Sequence, residues 1–272
     1  MKIVAFLLIL FVSFVAPAHA ASSAYDRVMK TNKIVLGVIP WSPYREKNLE
    51  TKEWSGFAVE VCRRAFATMD IKVTFKEVIF GMQVQDLNIG RVDAHCDEGP
   101  WTMSAGKFVE FSMPYFATPV FPFVRAGEMR FKKRSDLNHP SVHFVGIDGD
   151  LSSDLVHRIF PKAKFSSMSS LTDVSQLYLN VSTGKADAVI GDPASFGVFN
   201  KSNPGKLKPL FQNQPLGPYK SVVSVKKGDM KLLGLVNQAI DNALTFGIVD
   251  EILDRYDPKH EILMRVKSRY TF

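Results

Sequence analysis

Apolar residues recur along the chain with two periods, which predict alternating strands and helices. In the first half, helical spacing appears at 56–70 and 82–90, and strand-like runs lie on either side of each. The predicted strands are "KIVLGVI" (33–39), "IKVTFKEV" (71–78) and "RVDAHCD" (91–97). Strands separated by helices indicate parallel βαβ units, with helices covering the sheet.

A similar alternation returns in the second half. Strand and helix patterns follow one another over 142–148, 152–160, 163–168, 170–184 and 185–192. The fragments "GRVDA" (90–94) and "GKADA" (184–188) are near copies: in each, glycine ends a helix, a cation follows and a strand begins. Because this repeat occurs only twice, it predicts two similar α/β lobes and not a solenoid.

The C-terminal segment has a helical pattern, and two extended segments indicate how the lobes are connected. Residues 230–256 have an apolar face at helical spacing, and Gly247 is expected to divide them into two helices. Between the lobes lie "FATPVFPFV" (116–124) and "NQPLGPYKSVV" (213–223), each extended and containing proline. Two such crossings make a hinge with a cleft between the lobes.

The crossings also predict the domain boundaries. We expect lobe 1 to be discontinuous, built from residues 21–117 with 218–272, and lobe 2 to contain residues 118–217. Each lobe is expected to hold a mostly parallel sheet with flanking helices.

The first twenty residues are typical of a signal peptide and not of the fold. Lys2 precedes an apolar run, and Ala18-His19-Ala20 is a small-x-small cleavage signal. The new N-terminus would be Ala21, which offers no thiol for a lipid anchor. We therefore expect a secreted protein that is located in the periplasm.

Charge and cysteine content narrow the classes of function. The formal net charge is +7, but the basic residues are scattered, and the run "RFKKR" (130–134) is typical of a solvated loop. Nucleic-acid binding is not expected, because no basic face is interleaved with aromatic residues. Cys62 and Cys96 are the two cysteines. A single disulfide and a pair of buried thiols both remain open.

Several motifs in order resemble one known family. "GVIPWSPY", "GFAVEV", "GRVDA", "FSMPYF", "GKADAVIGD" and "KKGD" follow one another ahead of the C-terminal helices. Over essentially the whole mature chain this order is similar to the bacterial extracellular solute-binding proteins of family 3, the receptors of polar amino-acid ABC importers. The resemblance implies a two-lobed, periplasmic-binding-protein-like fold of type II, whose lobes close on one small ligand.

The resemblance also implies particular ligand contacts. Trp41 and Phe80 match the two aromatic residues that sandwich the ligand, and a broad aromatic face also attracts a cation. Asp192 matches the acidic residue that binds the ligand's ammonium group. Phe80 and Trp41 as core residues, and Asp192 as a helix cap before Pro193, are the alternatives left open.

The chain departs from the family pattern where a ligand carboxylate would bind. Thr102 is retained, but the arginine position holds Ala105, which offers no donor, and Lys107 is expected to point elsewhere. Small polar residues are replaced by Asp97 and Glu98. Alternation along a strand leaves open that at most one of these two carboxylates reaches the cleft.

The second lobe shows a further departure. A Gly-Thr-Thr turn becomes Asp150-Leu151-Ser152, which leaves Ser152 as the matching hydroxyl. A cleft that loses a cation and gains carboxylates favours a ligand bearing an amine, and we expect an amine such as agmatine to bind better than the corresponding amino acid.

The function expected from the sequence is capture of a small amine-bearing or amino-acid-like ligand and its delivery to an ABC permease. We expect a monomer with no cofactor, no metal and no catalytic residues. The alternatives are an enzyme on the same fold, similar to cyclohexadienyl dehydratase, and a ligand-sensing signalling module. No Cys-x-x-Cys, His-Glu-x-x-His or Gly-x-Ser-x-Gly motif supports an enzyme.

Overall fold

The computed structural model describes residues 23–96, 99 and 102–266. Within them the helices are α1 (Ala24–Thr31), α2 (Phe57–Ala67), α3 (Gln83–Asn88), α4 (Leu151–Ile159), α5 (Val174–Ser182), α6 (Pro193–Ser202), α7 (Met230–Thr245) and α8 (Ile248–Tyr256). The strands are β1 (Lys33–Val38), β2 (Glu46–Lys47), β3 (Trp54–Ser55), β4 (Lys72–Glu77), β5 (Ala94–His95), β6 (Val109–Phe111), β7 (Phe116–Arg125), β8 (His143–Ile147), β9 (Lys164–Met168), β10 (Ala188–Gly191), β11 (Leu207–Pro209), β12 (Gly217–Ser221), β13 (Ser224–Lys226) and β14 (Met264–Arg265). The predicted signal peptide lies outside the described residues, as do Asp97 and Glu98.

The first sheet has the strand order β4-β1-β5-β13-β6. The strands β4, β1 and β5 run parallel, with Leu36 of β1 opposite both Phe75 and Ala94, whereas β13 and β6 pair antiparallel. The apolar faces of α2, α7 and α8 cover this sheet in one core. Phe57 and Phe66 of α2 are fully buried there, which explains the helical spacing of apolar residues in this segment.

The second sheet repeats this topology. Its order is β11-β7-β10-β8-β9, in which β9, β8 and β10 run parallel and β7 and β11 pair antiparallel. The units β1-α2-β4-α3-β5 and β8-α4-β9-α5-β10 therefore match, with the first strand of each unit between the other two. The α/β class and the two related units are confirmed. The expectation of mostly parallel sheets is also confirmed: in each of these five-strand orders four strands run in one direction, and one antiparallel strand, β13 or β7, makes the sheet mixed.

The repeated fragments "GRVDA" and "GKADA" perform the same structural task twice. Asp93 accepts a hydrogen bond from the backbone N–H of Val35 at 2.8 Å, and Asp187 accepts one from that of His143 at 3.0 Å. Each carboxylate therefore fixes the start of the neighbouring parallel strand. Arginines pair with both: Arg27 with Asp93, and Arg125 and Arg130 with Asp187. These contacts support structural roles for the two aspartates.

Two adjacent strands carry the chain between the sheets. The first half of β7 pairs antiparallel with β12, with Thr118 opposite Tyr219, and its second half pairs with β10 and β11. Strands of the first sheet come from residues 33–111 and 224–226, so the chain leaves this sheet and returns to it. The predicted crossing segments contain β7 and β12.

The C-terminal helices pack against the first sheet. Gly247 separates α7 from α8 with a φ of +71°, a conformation that residues with a Cβ rarely adopt, so the predicted break is confirmed. Among the described residues no single helix is long and apolar enough to cross a membrane. The pair α7 and α8 meets both criteria only across a bend of 69°.

A disulfide connects a helix to the first sheet. Cys62 in α2 and Cys96, the residue after β5, are joined with their Cα atoms 6.4 Å apart. This separation lies within the range that a disulfide requires. Of the two alternatives left open by the sequence, the structure contains the bridge.

Candidate ligand-binding site

A cavity of about 80 Å³ lies at the carboxyl ends of parallel strands from both sheets. Trp41, Phe80, Asp150 and Asp192 line it, from segments that follow β1, β4, β8 and β10. The other lining residues are Ile39, Tyr44, Arg45, Val120, Leu151, Ser152, Leu155, Ile190, Gly191 and Tyr219. Open α/β sheets bind ligands at this end of their strands, so the cavity is the candidate site.

The two predicted aromatic residues contribute to the wall of this cavity. Trp41 and Phe80 are half-buried, and both pack against the apolar cluster on one face of the second sheet. The indole Nε1–H of Trp41 donates a hydrogen bond to Ser195 Oγ at 3.1 Å. Since Trp41 follows β1 and Ser195 belongs to α6, this bond connects the segments of the two sheets. Both side chains keep part of their surface available to a ligand.

Asp192 is both a helix cap and a cavity residue. It precedes Pro193 at the start of α6, and its Oδ1 accepts a hydrogen bond from the backbone N–H of Ser195 at 2.9 Å. The Tyr44 hydroxyl donates to the same oxygen at 2.8 Å and lies 2.9 Å from Thr118 Oγ1. Burial raises the pKa of the Asp192 carboxyl, although the hydrogen bonds from Ser195 and Tyr44 act in the opposite direction.

The start of α4 places a second carboxylate in the wall. Asp150 caps this helix, and its side chain accepts hydrogen bonds from the backbone N–H groups of Leu151 at 2.7 Å and Ser152 at 3.4 Å. Desolvation raises the pKa of the Asp150 carboxyl despite these bonds. Ser152, predicted from its hydroxyl, is buried and lines the cavity as well.

Arg45 is a cavity residue that the sequence reasoning missed. Its side chain is 7 % exposed, and its Nη1 donates to the Cys96 carbonyl oxygen at 3.5 Å. The backbones of Trp41 and Arg45 exchange two hydrogen bonds, of 2.8 and 2.9 Å, which close the loop that follows β1. The segment "PWSPYR" already held a predicted contact in Trp41, and the turn it forms returns Arg45 to the same cavity.

The remaining predicted residues lie elsewhere or outside the described residues. Thr102 does not line the cavity, and its hydroxyl lies 3.2 Å from Ser104 Oγ. Ala105 is fully buried in a 3₁₀ turn, and Lys107 is exposed and away from the cavity. Asp97 and Glu98 are outside the part of the chain that the structure describes. The expected contact of Thr102 with a ligand therefore has no geometric support.

A wider cleft adjoins the cavity, and the described residues contain no metal-binding cluster. No group of three or more His, Cys, Asp or Glu side chains in the described ranges is arranged to hold a metal ion. A wider cleft of about 470 Å³ shares Trp41 and Arg45 with the cavity and reaches Asp173 and Val174 at the start of α5. The cavity thus adjoins a broader opening between the segments of the two sheets.

Two α/β units, with a cavity at their strand ends that contains two carboxylates, have the two-lobed type II architecture. The chain belongs to the bacterial extracellular solute-binding proteins, family 3: the sequence pattern of this family matches residues 34–259. This match includes both repeated units and the residues that line the cavity. The resemblance noted from the motifs is confirmed.

Individual relatives are similar over most of their length. A probable histidine-binding protein of Campylobacter jejuni is 21% identical over 238 residues, which cover 87% of this chain and 89% of the relative. The structure of a putative ABC-transporter binding component from Wolinella succinogenes, complexed with lysine, has a TM-score of 0.72 at 22% identity, covering 83% of this chain and 95% of that one. An ancestral amino acid-binding protein, described as a precursor of cyclohexadienyl dehydratase, also has a TM-score of 0.72, at 21% identity, covering 86% and 99%.

Proposed function

We propose that this protein captures a small polar ligand bearing an amine, an amino acid or a similar compound, and delivers it to an ABC permease. The observation that carries the proposal is Asp192, a carboxylate 9 % exposed in a cavity at the strand ends of both sheets. A buried carboxylate is stabilised by a cationic partner, and an ammonium group provides one. The relative named as a histidine-binding protein and the similar structure that holds lysine support an amine-bearing ligand.

The other cavity residues would then orient the ligand. Trp41 and Phe80 present aromatic surface that excludes water and attracts a cation, and Ser152 offers a hydroxyl. The Tyr44 hydroxyl, bound to Asp192 Oδ1, holds the carboxylate from the side of the first sheet. In this arrangement the amine contacts Asp192, and the two aromatic side chains enclose the body of the ligand.

The proposal includes the organisation and the location of the chain. We assign residues 21–117 with 218–272 to one lobe and 118–217 to the other, since β7 and β12 carry the chain between the sheets. Cleavage after Ala20 would release a monomer into the periplasm, where it would close on its ligand and meet the permease at the inner membrane. The family's extracellular character supports this location.

Binding is tested by native mass spectrometry of freshly purified protein, followed by calorimetry with the common amino acids and their decarboxylated amines. Asp192→Asn should weaken binding by about tenfold or more, because a charged hydrogen bond to the ammonium group is lost while the helix cap is kept. Asp229→Asn is the matched control, since Asp229 caps α7 through Leu232 and does not line the cavity. Equal binding by both variants would contradict the role of Asp192.

One comparison favours an enzyme as the second candidate. The ancestral protein of similar structure is described as a precursor of cyclohexadienyl dehydratase. We propose binding without turnover, because the relatives found by sequence are named as binding proteins. Incubation with prephenate should leave the substrate unconsumed. Consumption at a rate proportional to protein concentration would establish the enzyme instead.

A further inference from the structure

The cavity has more negative than positive ionisable groups among its described residues. Asp150 and Asp192 contribute carboxylates from the second sheet's segments, and Arg45 contributes a guanidinium from the loop after β1. With all three groups ionised, these residues carry an excess of one negative charge. An excess of this kind, on the buried Asp192 and the half-buried Asp150, favours a ligand with net positive charge.

Asp150 changes what the start of α4 can bind. The first backbone N–H groups of a helix attract anions, and a ligand carboxylate is a suitable partner for them. Here the Asp150 side chain accepts the N–H groups of Leu151 and Ser152, at 2.7 and 3.4 Å. The protein's own carboxylate therefore occupies this end of the helix and presents negative charge to the cavity.

A second polar group lies at the same place. Ser152 is 4 % exposed and lines the cavity, and its hydroxyl acts on the Asp150 carboxyl, whose pKa burial raises and this hydroxyl lowers. The hydroxyl oxygen keeps lone pairs that can accept a hydrogen bond from a ligand N–H. Asp150 and Ser152 together offer acceptors for a cationic N–H group.

We propose that the ligand carries two cationic groups, one bound at Asp192 and the second at Asp150 with Ser152. This inference rests on the proposed function and specifies its substrate class as diamines and dibasic amino acids. Asp150 becomes a residue that determines specificity. The two carboxylates cap different helices, α6 and α4, so each cationic group contacts its own helix start.

Matched ligand pairs test the second cationic group. Lysine and norleucine share the α-amino acid and the carbon chain but differ by the ε-ammonium group, and cadaverine and n-pentylamine differ in the same way. Calorimetry on the wild-type protein should show tighter binding of the compound with two ammonium groups in at least one pair, by about tenfold or more. Asp150→Asn should remove most of this preference, because asparagine keeps the helix cap but not the charge. Asp229→Asn should retain it.

The outcomes separate this inference from the proposal on which it rests. If norleucine and n-pentylamine both bind as tightly as their partners with two ammonium groups, the second site is overturned and amine capture stays intact. A preference unchanged in Asp150→Asn would place the second cation elsewhere and would also overturn the inference. If no amino acid and no amine binds the wild-type protein, both proposals fail. Circular dichroism and thermal melting of each variant confirm that a loss of preference is not a loss of fold.

Discussion

His95 belongs to β5 of the first sheet. Its imidazole is fully buried and packs against the backbone of the neighbouring strand β1. A Cβ on Gly37 would lie 2.4 Å from His95 Nδ1, so glycine at this position leaves the space that the ring fills. Nε2 lies 3.1 Å from the Gln83 carbonyl oxygen, which can only accept, so this nitrogen carries the proton. Burial lowers the pKa of His95 to about 4, and nearby Arg45 acts in the same direction.

We expect this histidine to make stability depend on pH. The folded protein keeps His95 neutral down to about pH 4, whereas the unfolded chain takes up a proton below its ordinary pKa of about 6.5. Stability from this group is therefore complete above about pH 6.5 and falls as the pH decreases toward 4, by about 3 kcal/mol in total. Urea unfolding across this range should show the slope, and His95→Asn should reduce it.

His260 is exposed and serves as the control. Replacing it also removes an imidazole, but not a buried one. His260→Asn should leave most of the slope in place. A slope that is the same in wild type and His95→Asn would assign the pH dependence to other groups, such as the carboxylates.

Arg45 bears on which ligands the cavity accepts. The expectation that an amine binds better than its amino acid depended on Ala105 and on a cleft without a fixed cation, but a guanidinium lines the cavity. Its several N–H groups can serve more than one acceptor. We now expect lysine to bind better than cadaverine. Arg45→Gln should weaken the binding of lysine by about tenfold and should change the binding of cadaverine less. Calorimetry measures both, and equal losses for the two ligands would indicate a structural role.

Single residues of the site were predictable where they follow a strand. Trp41, Phe80 and Asp192 were predicted from the family resemblance, and they line the cavity because each lies just after the carboxyl end of a strand, where parallel strands meet at one edge. Arg45 returns to the cavity through a turn, whereas Thr102, in a turn of its own, does not line it and has its hydroxyl 3.2 Å from Ser104 Oγ. Turns of this kind depend on local backbone conformation, which the period of apolar residues does not specify.

Among the elements, the disulfide between α2 and the residue that follows β5 connects a helix to the sheet it covers. Cys62 and Cys96 are 34 residues apart, and closing a loop of this length restricts the unfolded chain. Replacing both by serine should lower the free energy of unfolding by about 2–4 kcal/mol, measured by urea denaturation without reductant. Thiol labelling of the denatured, unreduced protein provides the control. Two reactive thiols in the native preparation would contradict the bridge.

The elements themselves follow the apolar period closely, with informative exceptions. The long strand predicted at 91–97 is reduced to Ala94–His95, and α5 begins only at Val174, after its Asp173 cap. The start of helix α6 was predicted only as the alternative in which Asp192 caps a helix before Pro193, and its extent was not predicted. The antiparallel strands β6 and β13 have three residues each, too few to show a period. Short strands are fixed by their partners in the sheet, which lie far away in sequence.

At the scale of the whole molecule, we expect the two lobes to open and close about β7 and β12. The hydrogen bonds from Trp41 to Ser195 and from Tyr44 to Asp192 connect the two sides in the structure described here. A ligand that binds the closed form better should shift the population toward it. Small-angle scattering should show a smaller radius of gyration with a bound ligand. An unchanged radius over a saturating titration would count against closure about these strands.

The bond from Trp41 to Ser195 gives the protein a built-in optical signal. When the two sides separate, the half-buried indole loses this partner and meets water, and its emission should move to longer wavelength. Trp54, at 7 % exposure, is buried in the first-sheet core and supplies a steady background. A chain that retains Trp41 while its other tryptophans are replaced by phenylalanine would report opening without any attached dye. Fluorescence could then follow each encounter with a ligand in real time, at concentrations far below those that calorimetry needs.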